Sequence, residues 1–140
     1  NLVQSAIKDG ANCLRGGNMK GCYYMPTLLI DVTNDMDVFK NETFGPVLCV
    51  TKFKTIDDAV RLANQSYYGL GGSLWTSDLQ QSKEIVGRIN TGAVFINEMT
   101  KSDPRLPFGG INRSGYGIEL SEYGIKEFVN IKTIVVSDSC

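Results

Sequence analysis

Residues 47–96 read VLCVTKFKTIDDAVRLANQSYYGLGGSLWTSDLQQSKEIVGRINTGAVFI, and two kinds of segment alternate along them. Val47–Phe53 is a short strand-forming run that begins directly after Pro46, where the missing N–H does no harm to a ladder. Thr55 then stands as an N-cap, with Asp58 three residues on as a capping-box partner. Ile56, Ala59, Val60 and Ala63 recur on one face, so the spacing predicts a helix ending near Ser66. Ser73–Thr76 predicts a second strand, and Asp78 caps a second helix through about Ile89. Ala93–Ile96 is an unbroken apolar run suited to a strand buried on both faces. Short apolar runs alternating with helical patterns are the mark of a parallel sheet covered by helices, so the class is α/β.

Upstream of this stretch, Leu2, Val3, Ala6 and Ile7 recur at helical spacing and Gly10 stands as the stop signal. No initiator Met or N-cap precedes them, which reads as a cut end. Thr27–Ile30 predicts a strand and Met36–Lys40 a short helical turn. Downstream, Asn97–Gly117 is rich in Gly, Pro and polar residues without periodicity, and a loop of that length is usually functional or a crossing between domains. Glu119–Lys126 predicts a short helix and Phe128–Val136 a β-branched strand. That strand has no hairpin partner nearby and would expose an open edge if unpaired.

Composition narrows the function classes. Fourteen Lys and Arg stand against fifteen Asp and Glu, and no basic run could track a phosphate backbone, so neither a nucleic acid nor a membrane partner is expected. The longest apolar stretches are four or five residues, and no signal peptide opens the chain; a cytoplasmic protein is expected. Cys13, Cys22, Cys49 and Cys140 show no C-x-x-C spacing and the chain has no histidine, so no metal site is expected. The same lack of histidine excludes any Cys-His or Ser-His pair within these 140 residues. Sequons at Asn41, Asn64 and Asn112 are read as chance without a secretory signal.

Two segments invite a chemical reading. Glu42, Thr43, Phe44, Gly45, Pro46 and Val47 place a carboxylate, an aromatic ring and a turn directly before a strand. A carboxylate can accept two hydrogen bonds from a vicinal diol and a ring can cover a flat heterocycle; a solvated Glu, a core Phe and a plain turn would explain the same residues. The second segment is Leu106–Gly117. Gly110 and Gly115 have P-loop spacing, but Tyr116 stands where lysine is required and no strand leads in. Gly115-x-Gly117 lacks the third glycine of a dinucleotide fingerprint, so these glycines are read as permitting tight turns and close packing.

Taken together, Glu-x-Phe-Gly-Pro-Val at 42–47, Gly-Leu-Gly-Gly-Ser-Leu-Trp-Thr at 69–76, Thr-Gly-Ala-Val-Phe-Ile-Asn at 91–97, Pro-Phe-Gly-Gly-x-x-x-Ser-Gly-x-Gly at 107–117 and Glu-Phe-Val-Asn-Ile-Lys-Thr at 127–133 resemble the NAD(P)-dependent aldehyde dehydrogenases in order and spacing. The resemblance covers essentially the whole chain. It implies the C-terminal portion of a catalytic domain at 1–110, a crossing segment and short helix at 111–127, and an oligomerisation strand at 128–140 that joins a partner subunit's sheet in a homo-oligomer. It implies that Glu42 binds the nicotinamide ribose hydroxyls and that Phe44 lies beside the nicotinamide. Thr43 departs from the usual apolar residue without touching that assignment.

The loop Glu98–Phe108 would wall the aldehyde tunnel, with Ser102 and Phe108 facing the substrate. Ser102–Pro107 resembles the substrate loop of succinate-semialdehyde dehydrogenases, in which a serine holds the distal carboxylate; Arg105 is either a helper or a solvated loop residue. The family's cysteine nucleophile, its activating glutamate and its oxyanion asparagine would all precede Asn1. The chain is therefore expected to hold no catalytic residue and to be inactive alone. NAD is favoured as cofactor with NADP left open, and a noncatalytic module pairing with a full-length subunit is the alternative.

Overall fold

A computed structural model describes residues 2–137 and divides the chain into two compact units, Asn1–Tyr67 with Lys83–Asn90 and Tyr68–Ser82 with Thr91–Cys140. The first unit opens with α1 (Leu2–Lys8), whose Val3 and Ala6 are buried. Gly10 ends it at φ +105°, a backbone conformation side-chain-bearing residues rarely adopt. β1 (Asn12–Arg15) follows, then a hairpin of β2 (Met19–Lys20) and β3 (Tyr23–Tyr24), then β4 (Thr27–Ile30). After α2 (Asp37–Lys40), β5 (Val47–Cys49) lies parallel to β4, and β1 pairs with the other edge of β4 antiparallel. α3 (Ile56–Ala63) closes this part of the chain.

The core of this unit gathers Val3, Ala6, Ala11, Leu29, Val32, Met36 and Val38, with Leu29 at 0% exposure. Complete burial of one such leucine contributes about 1.5–3 kcal/mol.

In the second unit β6 (Tyr68–Gly69) pairs antiparallel with β9 (Ile111–Asn112), and β7 (Gly71–Leu74) pairs parallel with β8 (Ala93–Ile96). α4 (Leu79–Val86) lies between β7 and β8 in sequence, and α5 (Ser121–Lys126) follows β9.

Thr27–Ile30 and Ala93–Ile96 are strands over the expected residues, and the two parallel pairs carry the α/β class. Several boundaries differ from the sequence reading. The strand expected over Val47–Phe53 stops at Cys49, because β4 ends at Ile30 and Asp31 turns the chain at φ +57°, leaving no neighbour to pair beyond Val50. The strand expected at Ser73–Thr76 runs instead over Gly71–Leu74, because its ladder with β8 pairs Gly71 with Ala93 and Leu74 with Ile96. Glycine carries little strand signal, which hid that start. The helix expected from Glu119 begins at Ser121, because Glu119 pairs with Phe108 and Leu120 stands at φ +64°. Ala93–Ile96, expected to be buried on both faces, is half-buried at all four positions.

The largest difference is the tail. Phe128–Val136, expected as a strand, has no strand structure: a strand requires a ladder, and none of the described residues pairs with it. Phe128, Ile131, Ile134, Val135 and Val136 are all exposed. Among the described residues no helix is long and apolar enough to cross a membrane, and no group of three acidic or cysteine side chains could hold a metal ion. Cys140 lies outside the described residues.

Candidate functional site

Glu42 and Phe44 sit on the link between α2 and β5. Asn41 ends α2, its N–H and its side-chain amide both donating to the Asp37 carbonyl at 2.9 and 3.1 Å. The following residues fold tightly, with Gly45 N–H donating to the Thr43 carbonyl at 2.7 Å and Val47 N–H to that of Gly45 at 2.8 Å. Thr27 N–H, at the start of β4, donates to the Pro46 carbonyl at 2.8 Å and fixes the link against the sheet.

Glu42 and Phe44 therefore line one cavity of about 360 Å³ together with Leu2, Val3, Tyr24 and Val47. The Phe44 ring is 97% exposed, and the Glu42 carboxylate has no hydrogen bond or ion pair among the described residues. An exposed phenylalanine beside an unpaired carboxylate is unlike a packed core. It suits a ligand with a flat face and hydroxyls. Tyr24, which the sequence reading passed over, lines the same cavity, and its buried hydroxyl has no hydrogen-bond partner among the described residues. Its signal was faint, since a tyrosine before a strand is equally a packing residue.

Ser102 and Phe108 belong to the second unit. Phe108 is held by two backbone bonds, donating to the Glu119 carbonyl at 2.9 Å and accepting from Glu119 N–H at 2.7 Å. It stands between two cavities. One, of about 270 Å³, is lined by Ala93, Val94, Phe95, Lys101, Asp103, Leu106 and Pro107; the other, of about 630 Å³, is formed with Leu70, Gly109, Gly110, residues 114–120, Gly124, Glu127 and Phe128. Close backbone approach shapes this region: a Cβ on Gly92 would overlap the Gly109 carbonyl oxygen, and Gly117 stands at φ +84°. Ser102 is exposed, its hydroxyl has no partner among the described residues, and it lines neither cavity.

Between Ser102 and Phe108 the loop is tied locally. Asp103 Oδ1 accepts from Arg105 N–H at 2.9 Å and from Arg105 Nε at 3.0 Å, and Oδ2 accepts from Arg105 Nη2 at 2.7 Å. Hydrogen bonds from the Arg105 side chain, then from its backbone, hold the Asp103 carboxyl well below the usual carboxylate range. Lys101 pairs with Glu98, chiefly through a side-chain hydrogen bond that raises the lysine's pKa. Among the cysteines, partial burial pushes the Cys49 thiol up, away from the thiolate a nucleophile needs.

Residues 1–134 match the aldehyde dehydrogenase family. The chain is 47% identical over 139 residues to an aldehyde dehydrogenase of Paenarthrobacter nicotinovorans, covering 97% of this chain and 30% of that protein. It is 46% identical over 138 residues to a probable NADP(+) succinate-semialdehyde dehydrogenase of Synechocystis, covering 96% and 30% respectively. Among solved structures, succinic semialdehyde dehydrogenase from Streptococcus pyogenes in complex with NADP+ superposes with a TM-score of 0.90 at 39% identity, covering 98% of this chain and 31% of that one. The chain thus spans under a third of the length of these relatives. A family match over nearly every residue shows that the chain belongs to the aldehyde dehydrogenase family.

Proposed function

We propose that this chain is the C-terminal part of a cytoplasmic enzyme that oxidises an aldehyde to a carboxylic acid with NAD(P) as hydride acceptor, and that the aldehyde is a short semialdehyde such as succinic semialdehyde. The observation that carries the reading is the unpaired Glu42 carboxylate and the exposed Phe44 ring on one cavity. These residues fit a nicotinamide ribose: the carboxylate accepts from a vicinal diol and the ring covers a planar face. Bound there, the dinucleotide would supply the hydride acceptor. Glu42 orients it, and the Glu98–Phe108 loop walls the aldehyde site, with Ser102 donating to the distal carboxylate. NADP-linked relatives support keeping NADP beside NAD.

The catalytic thiol is assigned to the part of the relatives' length that this chain does not span, so the 140 residues alone are expected to be inactive. Residues 128–140 are assigned to pairing with a second subunit, which the exposed β-branched tail supports. The same tail favours a second reading, a noncatalytic module that pairs with a full-length subunit. Intact mass of the expressed chain against its reading frame separates the two.

The substrate is tested by kcat/KM for succinic semialdehyde against butanal in the intact enzyme and its Ser102→Ala variant. Losing a hydrogen bond to a charged group costs about 1.5–3 kcal/mol, so the variant should lose roughly ten- to 150-fold on the charged aldehyde alone. A wild type that does not prefer the charged aldehyde, or an equal loss on both, rejects carboxylate recognition by Ser102. Glu42→Gln should slow single-turnover hydride transfer by a similar factor without unfolding the protein. Unchanged rate and cofactor affinity would remove Glu42 from the site.

A further inference from the structure

The loop from Glu98 to Phe108 raises a question that the proposed function leaves open, namely what holds Ser102 and Phe108 in place. Loops of this length carry no ladder of their own, and a substrate contact that drifts with its loop loses binding shared by ground and transition states, which appears in KM. Here one side chain does most of the local tying. Asp103 Oδ1 receives both the backbone N–H and the Nε of Arg105, at 2.9 and 3.0 Å, while Oδ2 receives Nη2 at 2.7 Å. The Asp103 carbonyl accepts from Leu106 N–H at 3.0 Å, which completes a turn over residues 103–106. The Pro104 carbonyl then accepts from Ser121 N–H at 3.1 Å, anchoring the turn to the start of α5. Asp103 is half-buried and, like Phe108, lines the cavity of about 270 Å³. Ser102 precedes this turn directly and Phe108 follows it by two residues.

We propose that Asp103 is a positioning residue for the aldehyde site: its carboxylate folds residues 103–106 around Arg105, sets Ser102 directly before that turn and Phe108 two residues after it, and ties the Arg105 guanidinium to the loop. The inference rests on the reading of this loop as the aldehyde wall. Nε, Nη2 and the backbone N–H of Arg105 are all engaged by Asp103, so the fork ties an otherwise exposed arginine to its own loop. Only a short carboxylate can meet the backbone N–H two residues on and the guanidinium of that same residue. Asparagine keeps an acceptor at the Oδ1 position and loses the charge and the second acceptor.

The test uses the intact enzyme with Asp103→Ala, Asp103→Asn and Arg105→Ala, and the double alanine variant. For the aldehyde the wild type uses best, Asp103→Ala should raise KM about tenfold, with kcat within about twofold and cofactor affinity unchanged. Amide exchange across residues 103–106 should quicken, and Asp103→Asn should fall between wild type and alanine. The double variant should be no worse than either single one, because both remove the same fork.

An unchanged KM in Asp103→Ala overturns the proposal. So does a lowered KM for a carboxylate-bearing aldehyde, which would mean that freed Arg105 binds substrate. A joint fall in kcat, affinity and melting temperature that asparagine does not relieve reduces Asp103 to general stability and also overturns it. A wild type indifferent to the distal carboxylate ends the semialdehyde reading alone, since the Asp103 outcome is still read from KM of the preferred aldehyde and from exchange.

Discussion

The unit around β1, β4 and β5 and the unit around β7 and β8 both contain a parallel strand pair, yet they bury their apolar residues differently. Every buried hydrophobic residue among those described, from Val3 to Val60, lies in the first unit. In the second, β8 is apolar at all four positions and only half-buried, and Phe128, Ile131, Ile134, Val135 and Val136 stand open. Parallel pairs are normally covered on both faces. The first unit buries Leu29 of its central strand completely, although Leu14 and Leu48 on the flanking strands stay exposed, whereas the second has the composition of a covered sheet without the cover.

The largest effect expected from this contrast is on assembly. Deleting Asn130–Cys140 from the intact enzyme should lower its oligomeric state, because the tail offers β-branched residues and no partner among the described residues. Light scattering that returns the parent's size for the truncated protein would place the subunit contact elsewhere.

Next in size is the core itself. In the 140-residue chain, Leu29→Ala should cost about 2–5 kcal/mol, the range for a buried leucine. Val94→Ala, at a half-buried position in β8, should cost well under about 1.5 kcal/mol. Urea unfolding measures both. In the intact enzyme the second cost should rise toward the first, and equal costs in the isolated chain would break the contrast between the units.

Legibility in the sequence follows the same division. Thr27–Ile30, Met36–Lys40 and the caps at Thr55 and Asp78 were readable because local chemistry decides them. β2, β3, β6 and β9, two residues each, were not: the hairpin of β2 and β3 is too short to show a period, and β6 and β9 are set by distant partners, Tyr68 opposite Asn112 and Gly69 opposite Ile111. The tail shows the converse, a strong strand composition that no partner turns into a strand. At the candidate site, Glu42 and Phe44 were legible as neighbours that reach one cavity, while Tyr24 joins them only through tertiary packing. Ser102 was singled out through the motif it resembles, and the Asp103 fork beside it has no periodicity to betray it.

The smallest effect concerns two helix caps, at the starts of α3 and α4. Thr55 adopts φ −129° and ψ 160°, and its hydroxyl accepts from Asp58 N–H at 3.1 Å, satisfying one of the donors a helix start leaves open. The Asp58 side chain, expected to complete a capping box, instead accepts from Arg61 at 3.4 Å, so the cap has one hydrogen bond rather than two. Thr55→Ala should therefore cost about 1 kcal/mol, Thr55→Ser close to nothing, and Thr55→Gly a few tenths. α3 buries Val60 in the first unit, so this loss should appear in global urea unfolding. Asp78 Oδ1 accepts from Gln81 N–H at 2.9 Å in the same manner, but Leu79 is 58% exposed and the residue that α4 buries is the polar Ser82. Asp78→Ala should thus quicken amide exchange over the first turn of α4 and move the global midpoint less than Thr55→Ala does. Equal midpoint shifts from the two alanines would show that the start of α4 is as tightly linked to global unfolding as α3, against the difference in burial between them.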